Sequence, residues 1–237
     1  MSYRLLDAFR AMFDGKKYLH RSSNQGDRLA AEFYEDLFES KKSKTFNEYV
    51  ESGECVLNTA NIRRGIKARR GDGTFGESLP KQTPIVVVGF AVSRGEIANV
   101  EIGVEVKVLA KAMVKQLNRV IGDLTGQVRH FQRKANMPIC VGVVGINHAP
   151  FCVGYEGDRE YPTDGRANRH PIDEAAEVER RISQEAQPSF DEILLLRYCA
   201  TNTLPYPFEW VDESGTERDY GAILVRIARA YDYRFGS

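Results

Sequence analysis

Apolar and polar residues alternate in the middle of the chain with the two-residue period of a β-strand. In "NVEIGVEVKVLAKAM", residues 99–113, valine or isoleucine occupies every second position of the first ten residues. Glu101, Glu105 and Lys107 lie at intervening positions. Because successive side chains of a strand point to opposite faces, one face of this strand is apolar and the other is charged. The strand is therefore either at the edge of a sheet or in an active site.

The same kind of reading predicts helices towards both ends of the chain and strands between them. Helical spacing of apolar residues predicts a helix that begins at Asp27, a good N-cap, and a longer helix over about 110–133. Two β-rich runs, 85–92 and 100–109, are separated by the turn signal "SRGEIAN" and are predicted to pair antiparallel. The unbroken apolar run at 139–146 predicts a strand with both faces covered, in the same sheet. A helix, a strand and a closing helix are then predicted at 173–186, 190–201 and 217–233.

This order of elements predicts an α/β fold with a central mixed β-sheet flanked by helices on both faces. The chain has 237 residues, no internal repeat and no change of composition that demands a second domain, so we expect one domain over 1–237. The glycine-rich, charged segment 69–84 and the polar segment 154–171 are predicted to be loops.

Charge is balanced overall but unevenly distributed. There are 33 basic and 33 acidic side chains, which give a formal net charge of zero. Residues 107–134 contain seven lysines or arginines against the single acid Asp123, and residues 172–192 are mainly acidic. A field of one sign suggests a polyanionic partner, although solvated helix faces explain such runs equally well. A second basic stretch, without any acid, contains Arg63, Arg64, Lys67, Arg69 and Arg70.

The four cysteines are far apart and do not have the spacing of a zinc site, so we expect reduced thiols in a cytoplasmic protein. No apolar run approaches the roughly 20 residues that a membrane span needs. We therefore expect no association with a membrane.

The charged face of the predicted strand has the chemistry of a metal-assisted reaction. Two carboxylates on one sheet face can hold a hard divalent cation. A lysine one pleat further on, as Lys107 is from Glu105, can orient a water or stabilise charge on a phosphate. The tripeptide Glu105-Val106-Lys107 therefore suggests phosphodiester cleavage, and the basic helix predicted directly after it supports that interpretation.

The chain resembles the restriction-endonuclease-like PD-(D/E)xK phosphodiesterase superfamily. "VEIGVEVKVL" matches the third core strand, which ends in (D/E)-x-K, while "LAKAMVKQLNRVIGDLTGQVRHF" and "PICVGVVGI" match the helix and strand that follow it. The resemblance covers about residues 27–147 and leaves 172–237 as a C-terminal extension. It implies a restriction-endonuclease-like core and a Mg²⁺-dependent (or Mn²⁺-dependent) endonuclease that hydrolyses phosphodiester bonds in DNA, of restriction or phage-defence type. Double-stranded DNA is the expected partner, and a homodimer or higher homo-oligomer the expected assembly.

The resemblance also implies which residues form the site. The run "IVVVGFAV" contains no acid, so the first metal ligand is expected from the preceding loop, where Asp72 and Glu77 are the candidates. Asp72 is preferred because a glycine on each side lets the backbone bend around an ion. The predicted catalytic residues are Asp72, Glu77, Glu105 and Lys107. The predicted metal ligands are Asp72, Glu77, Glu101 and Glu105, with the solvated start of the strand as the alternative interpretation of Glu101. The two basic stretches, rather than the resemblance, predict the nucleic-acid contacts, which are Arg63, Arg64, Lys67, Arg69, Arg70, Lys111 and Lys115.

Other residues fit the same site less specifically. Similar nucleases often place an acid of the first helix beside the metal, which suggests Glu32 or Glu35, although a solvated helix face is the simpler interpretation. Gln127 and Phe131 are similar to a Gln-x-x-x-Tyr element of some exonuclease relatives, with a core Phe131 and a surface Gln127 as the alternative. His148 and His170 could act on a water or be structural.

A DNA- or RNA-binding protein that cuts nothing is the competing hypothesis, since phosphate contacts alone give affinity. Carboxylates beside Lys107 would repel a phosphate unless a cation lies between them, and this favours a nuclease. An inactive scaffold that keeps the fold is a third interpretation.

Overall fold

The computed structural model describes residues 3–19, 24–58, 72–132, 137–163 and 169–236. The helices in these ranges are α1 (Arg4–Arg10), α2 (Asn24–Glu39), α3 (Lys44–Ser52), α4 (Met113–Phe131), α5 (Pro171–Arg181) and α6 (Glu213–Phe235). After α5 the chain continues through a π-helical turn at Ile182–Ala186 and a 3₁₀ turn at Gln187–Ser189. The strands are β1 (Cys55–Asn58), β2 (Gly73–Glu77), β3 (Arg94–Gly95), β4 (Ile102–Leu109), β5 (Ile139–Asn147), β6 (Val153–Glu156), β7 (Arg159–Pro162), β8 (Glu192–Ala200) and β9 (Phe208–Trp210).

A mixed seven-stranded sheet organises the fold, with strand order β3-β1-β2-β4-β5-β8-β9. β1, β2 and β4 pair antiparallel, whereas β4, β5 and β8 pair parallel. β9 returns antiparallel to β8 at one edge, and β3 pairs parallel with β1 at the other. The parallel strands need crossover connections, which α4 and α5 supply. The predicted α/β class with a mixed central sheet is confirmed.

Helices cover both faces of the sheet. One core contains Ile102, Val104 and Val106 of β4 together with buried residues of α1, α2, α3 and α6. The other core contains Leu109 of β4 together with buried residues of α4 and α5. Each large apolar side chain that is fully buried contributes about 1.5–3 kcal/mol of hydrophobic stabilisation. The alternation seen in the sequence of β4 therefore separates two cores rather than a core from solvent.

The prediction of a strand at 85–92 is wrong. Between Gln82 and Ser93 the only β-pairing in the structure is an isolated bridge between Ile85 and Arg94, and Val86 and Val88 are 78% and 98% exposed. The antiparallel partner of β4 is instead β2, which lies in the segment predicted to be a loop. Apolar content alone did not decide which segment pairs with β4.

Close packing explains why a glycine-rich segment forms β2. A Cβ at Gly73 would lie 2.6 Å from the Cβ of Ala30 in α2, and a Cβ at Gly76 would overlap the main-chain oxygen of Asn99. The glycines therefore let β2 lie tightly between a helix and a neighbouring segment. The strand predicted at 139–146 in the same sheet is confirmed as β5, which pairs parallel with β4 from Ile102 to Leu109.

One further segment differs from the expectation. The polar segment 154–171 contains most of the antiparallel hairpin β6–β7, rather than only loop. The helix predicted over 110–133 is α4, whose buried stripe includes Leu117, Ile121, Leu124 and Val128. The C-terminal segment continues the sheet through β8 and β9 and covers it with α6.

Candidate active site

β4 is the central strand of the seven, with β2 on one side and β5 on the other. The charged positions in its sequence therefore do not mark a sheet edge. Gly103, Glu105 and Lys107 share the face that is turned to α4, because a Cβ at Gly103 would lie 2.5 Å from the ring of Phe131. The charges of Glu105 and Lys107 therefore cannot be explained as the solvated side chains of an edge strand, and another reason for them is required.

Asp72 is brought to Glu105 by the pairing of β2 with β4. Gly73 is the partner of Val104 in this antiparallel ladder, so the register continued by one residue sets Asp72 opposite Glu105. The main-chain N–H of Val106 donates a hydrogen bond of 2.7 Å to Asp72 Oδ2. A Cβ at Gly26 would overlap Asp72 Oδ1, so α2 approaches the carboxyl group as closely as a glycine allows. Asp72 is thus held from two sides.

Glu105 is buried, and the two oxygens of its carboxylate have different surroundings. The residue is 6% exposed, and its Oε1 forms an ion pair with Lys107 Nζ. Its Oε2 is buried and has no hydrogen-bond partner in the part of the chain that the structure describes. Burial raises the pKa of Glu105 to about 7, with a further increase from the charge of Asp72, while Lys107 lowers it. A buried oxygen without a partner costs about 1–3 kcal/mol and suggests a missing ligand.

Lys107 lies one pleat beyond Glu105 on the same face of β4. Its side chain is 25% exposed, whereas that of Glu105 is 8% exposed. The ammonium group therefore lies between the buried carboxylate and solvent. A ligand that approaches Glu105 along β4 would meet Lys107 first.

Helix α4 runs back over this face of β4. Phe131 packs on Gly103, as its core interpretation predicted, and Gln127 lies one helical turn earlier. A helical turn advances about 5.4 Å and two strand residues about 6.6 Å, so Gln127 is carried towards the level of Glu105. Gln127 is buried rather than at the surface.

Asp123 lies one helical turn before Gln127 on α4. It was not among the residues predicted for the site from the sequence. Its charge contributes to the raised pKa of Glu105. It also forms an ion pair of 3.8 Å with Arg119. Asp123 is the single acid in the basic stretch 107–134, and this isolation was the feature of the sequence that could have marked it as a candidate.

Glu77 lies away from Glu105. It is five residues beyond Asp72 on β2, a distance of about 16 Å along a strand. There it is the partner of Cys55 in β1, and its carboxylate accepts a hydrogen bond of 3.1 Å from Asn99. The structure therefore favours Asp72 over Glu77 as the first acid of the site.

Glu101 is also placed elsewhere, four residues or about 13 Å before Glu105. Tyr231 of α6 donates its hydroxyl to Glu101, and Cys55 Sγ lies 3.5 Å from the same carboxyl oxygen. Burial raises the pKa of Glu101. This buried network joins β1, β4 and α6 and explains the residue without a metal.

The acids of α2 hold neighbouring segments. Glu35 accepts hydrogen bonds of 2.8 Å from the main-chain N–H groups of both Ala91 and Val92. Glu32 forms an ion pair of 2.9 Å with Arg4. These contacts show structural roles for both acids.

The predicted basic contacts fall into two groups. Lys111 donates to the main-chain oxygen of Tyr161, and Lys115 is exposed in the first turn of α4. The remaining residues, Arg63, Arg64, Lys67, Arg69 and Arg70, lie outside the described residues.

The two histidines contact other groups than the candidate site. His148 Nε2 lies 3.0 Å from Glu179, which also binds Arg197 at 2.8 Å. His170 Nδ1 lies 3.2 Å from the hydroxyl of Thr163. Both histidines therefore have structural partners.

The donor set fits a divalent cation that keeps water ligands. Across 3–19, 24–58, 72–132, 137–163 and 169–236, no group of three or more His, Cys, Asp or Glu residues is arranged to hold a metal ion. Asp72 and Glu105 supply two carboxylates, and Glu105 Oε2 is a buried acceptor without a partner. Mg²⁺ is usually held by one or two carboxylates together with waters and substrate oxygens. The pair is sufficient for Mg²⁺ or Mn²⁺ but not for an all-protein cage.

No protein-family model, curated protein or solved structure matches this chain. Within the segments that the structure describes, no helix combines the length and the apolar character that crossing a membrane requires. The functional assignment therefore depends on the geometry of the site.

Proposed function

We propose that this protein is a metal-dependent endonuclease that hydrolyses phosphodiester bonds in DNA, of restriction or phage-defence type. The observation that carries the proposal is the convergence of Asp72, Glu105 and Lys107 around a buried carboxylate oxygen without a partner. A buried Glu105 beside the half-buried Asp72 and Lys107 is costly in the middle of a sheet, and a site for a cation and a phosphate accounts for all three.

Asp72 and Glu105 would hold Mg²⁺ or Mn²⁺, because hard cations prefer carboxylate oxygens. When bound, the cation neutralises charge on the phosphate and makes a bound water more acidic. The hydrogen bond from Val106 fixes one oxygen of Asp72 and leaves the orientation of the carboxylate defined before any ligand arrives. This preorganisation lowers the cost of assembling the site.

Lys107 is the group that meets the reacting phosphate. Its ammonium is anchored by Glu105 and remains partly exposed, so it can donate a hydrogen bond to the attacking water or to a phosphate oxygen. A fixed positive charge at this position stabilises the negative charge that develops on the phosphate in the transition state. Glu105 thus both holds Lys107 and contributes to the cation site.

The chain order of the elements supports the same proposal. Apart from α3 and the two-residue strand β3, α2 is followed by three strands in antiparallel pairing (β1, β2, β4), then by α4 and the parallel strand β5. This order resembles that expected for a restriction-endonuclease-like core, with an acid directly before the second strand and E-x-K on the third.

The competing function is a non-catalytic nucleic-acid-binding protein with a degenerate nuclease fold. The small number of clustered acids in the described segments favours it. The burial of Glu105 beside Lys107 favours the nuclease, since a protein that only binds phosphate would gain affinity by losing that carboxylate. The proposal includes a cytoplasmic location and a homodimer or higher homo-oligomer, which would present two sites to the two strands of a duplex.

Incubation of the purified protein with supercoiled plasmid, single-stranded DNA and RNA tests the proposal. Each substrate is offered with Mg²⁺, with Ca²⁺ and with EDTA. We expect nicked and linear plasmid with Mg²⁺ only, while Ca²⁺ supports binding with little cleavage because its looser coordination holds the water less rigidly. Cleavage that persists in EDTA contradicts the proposed mechanism, and a wild-type protein that binds DNA with Mg²⁺ but never cuts it supports the binding protein instead.

A further inference from the structure

A cavity of about 350 Å³ lies directly beside Asp72. Its walls come from the first turns of α2, from the end of β1 and from the segment that contains Phe90 and Arg94. Asp72 is common to this cavity and to the candidate active site, where it receives the N–H of Val106. A molecule in the cavity would therefore contact Asp72, one of the two proposed cation ligands.

The wall formed by Phe90 and Arg94 is firmly held. Glu35 of α2 binds the two main-chain N–H groups that follow Phe90, at 2.8 Å each. Arg4 donates a hydrogen bond of 2.9 Å to the main-chain oxygen of Gly89. Ile85 and Arg94 exchange two main-chain hydrogen bonds of 2.7 and 2.8 Å. This segment, although not a strand, is anchored at both ends.

The side chains of this wall have the chemistry that recognises a nucleobase. The guanidinium carbons of Arg94 and Arg4 lie 5.0 and 4.9 Å from the centre of the Phe90 ring. The ring therefore already packs against two guanidinium groups, and of these the one of Arg94 lines the cavity. Bases taken out of a helix stack on aromatic rings and on arginine planes in the same way. Across the cavity, Arg28 can contact a phosphate, and Asp27 is of the type that accepts a hydrogen bond from a base amino group.

The size of the cavity indicates one nucleotide rather than a base pair. Pockets for small ligands measure about 300–1,000 Å³, so 350 Å³ is near the lower limit. The exposed apolar side chains of Val86 and Val88 lie in the same segment as Phe90, two to four residues before it. Apolar side chains inserted between base steps unstack and kink a duplex, which is how such a nucleotide could be released.

We propose that this cavity binds one unpaired nucleotide next to Asp72 of the nuclease site, with its base stacked on the guanidinium plane of Arg94, which the Phe90 ring supports. The proposal rests on the nuclease function and adds a substrate class to it. The enzyme acts on single-stranded DNA, or on duplex DNA at positions where a base leaves the stack. Paired substrates bear the additional cost of unpairing and are cut more slowly.

The test compares three substrates of one sequence: a single strand, a fully paired duplex and a duplex with one mismatch. Binding is measured by fluorescence anisotropy in EDTA, and cleavage is measured with Mg²⁺. We expect the wild type to favour the single strand and the mismatch about tenfold over the paired duplex, since stacking one base on an aromatic contributes a comparable factor. Arg94→Ala should remove most of that preference and leave binding of the paired duplex within about twofold. Arg218→Ala, an exposed arginine on α6, is the matched control and should keep the preference.

A conservative variant and a mononucleotide titration keep the test informative if Arg94→Ala fails to fold. Arg94→Lys keeps the charge but not the planar group, so it should lose the preference while its melting temperature stays near that of the wild type. Titration with 5′-thymidylate, followed by NMR, should shift the amide signals of Phe90 and Arg94 but not that of Arg218. Signals that remain unchanged in the folded wild type overturn the inference.

The outcomes separate this inference from the proposed function. If Mg²⁺-dependent cleavage occurs at equal rates on all three substrates, with or without Arg94, the nuclease function stands and the cavity proposal fails. If the wild type cuts nothing, yet Arg94 still governs binding of the single strand, the nuclease function fails and the cavity still binds a nucleotide.

Discussion

Asp72 and Val106 are joined by a hydrogen bond of 2.7 Å from a main-chain N–H to a carboxyl oxygen, across 34 positions of sequence. This contact brings the acid at the start of β2 against the centre of the E-x-K tripeptide on β4. It is the structural basis for treating Asp72, Glu105 and Lys107 as one site.

Binding of Mg²⁺ should stabilise the fold through Asp72 and Glu105. At a concentration 100 times its dissociation constant, a ligand that binds only the native state adds about 2.7 kcal/mol, which raises the melting temperature by several degrees. We expect this increase in the wild type and its loss in Asp72→Asn and in Glu105→Gln, as measured by calorimetry. Glu77→Gln is the matched control on the same strand. An equal response to Mg²⁺ in Glu105→Gln would remove this residue from the cation site.

Lys107→Ala should abolish cleavage but not binding. A single preorganised donor at a developing charge typically contributes a factor of about 10²–10³ to kcat, whereas the loss of one cation among many weakens phosphate binding only modestly. Single-turnover cleavage and anisotropy on the same duplex separate the two effects. Lys44→Ala changes a lysine that is 85% exposed on α3 and should behave as the wild type. Wild-type turnover by Lys107→Ala would exclude Lys107 from the mechanism.

The pH dependence of the free energy of unfolding should reveal the titration of the Asp36 carboxyl group. Burial raises the pKa of this carboxyl to about 6, although it accepts hydrogen bonds from Leu5, Tyr220 and Arg4, and Glu39 raises the pKa further. Because the folded state binds the proton more tightly than the unfolded state, the contribution of Asp36 is complete below about pH 4 and is lost as the pH rises towards 6.

The difference in free energy of unfolding between the wild type and Asp36→Asn should therefore fall by on the order of 2–3 kcal/mol between pH 4 and pH 7. Urea titrations at four pH values measure it. Asp219→Asn, an exposed acid on α6, supplies the control. A difference that stays constant with pH would show that the Asp36 carboxyl group titrates normally in the folded protein.

Gly103→Ala tests the packing of α4 over the site. A Cβ at this position would lie 2.5 Å from the ring of Phe131, and such overpacking costs about 1–3 kcal/mol. Gly122→Ala on α4 has no atom within 4 Å of the new Cβ and should instead stabilise the protein by about 0.5–1 kcal/mol. Opposite changes in the urea midpoint are expected. A neutral Gly103→Ala would mean that α4 does not lie as close to β4 as described.

The E-x-K tripeptide could be predicted from local sequence because side-chain direction in a strand alternates whatever the strand pairs with. The parallel strand β5 could be predicted for a similar reason, since a continuous apolar run is typical of a strand buried on both faces. Glu105 and Lys107 follow from these local rules.

Pairing partners could not be predicted in this way. The run 85–92 is richer in valine than β2, yet β2 pairs with β4 because its glycines fit beneath Ala30 and beside Asn99. Burial in a particular tertiary environment, rather than intrinsic propensity, decides which of two segments becomes a strand. The antiparallel hairpin expected from the turn signal was wrong for this reason.

Local sequence likewise identified the candidate acids, but distant contacts decided which of them lie in the candidate site. Backbone periodicity alone predicts Glu101 and Glu105 on one face, and residue types alone indicate a cation and a phosphate. The fold separates the two acids, since Glu101, which precedes β4, is bound by Tyr231 of α6, whereas Glu105 lies on the face turned to α4. Likewise the strand register selects Asp72 over Glu77, since contacts between residues distant in sequence depend on how the whole chain packs.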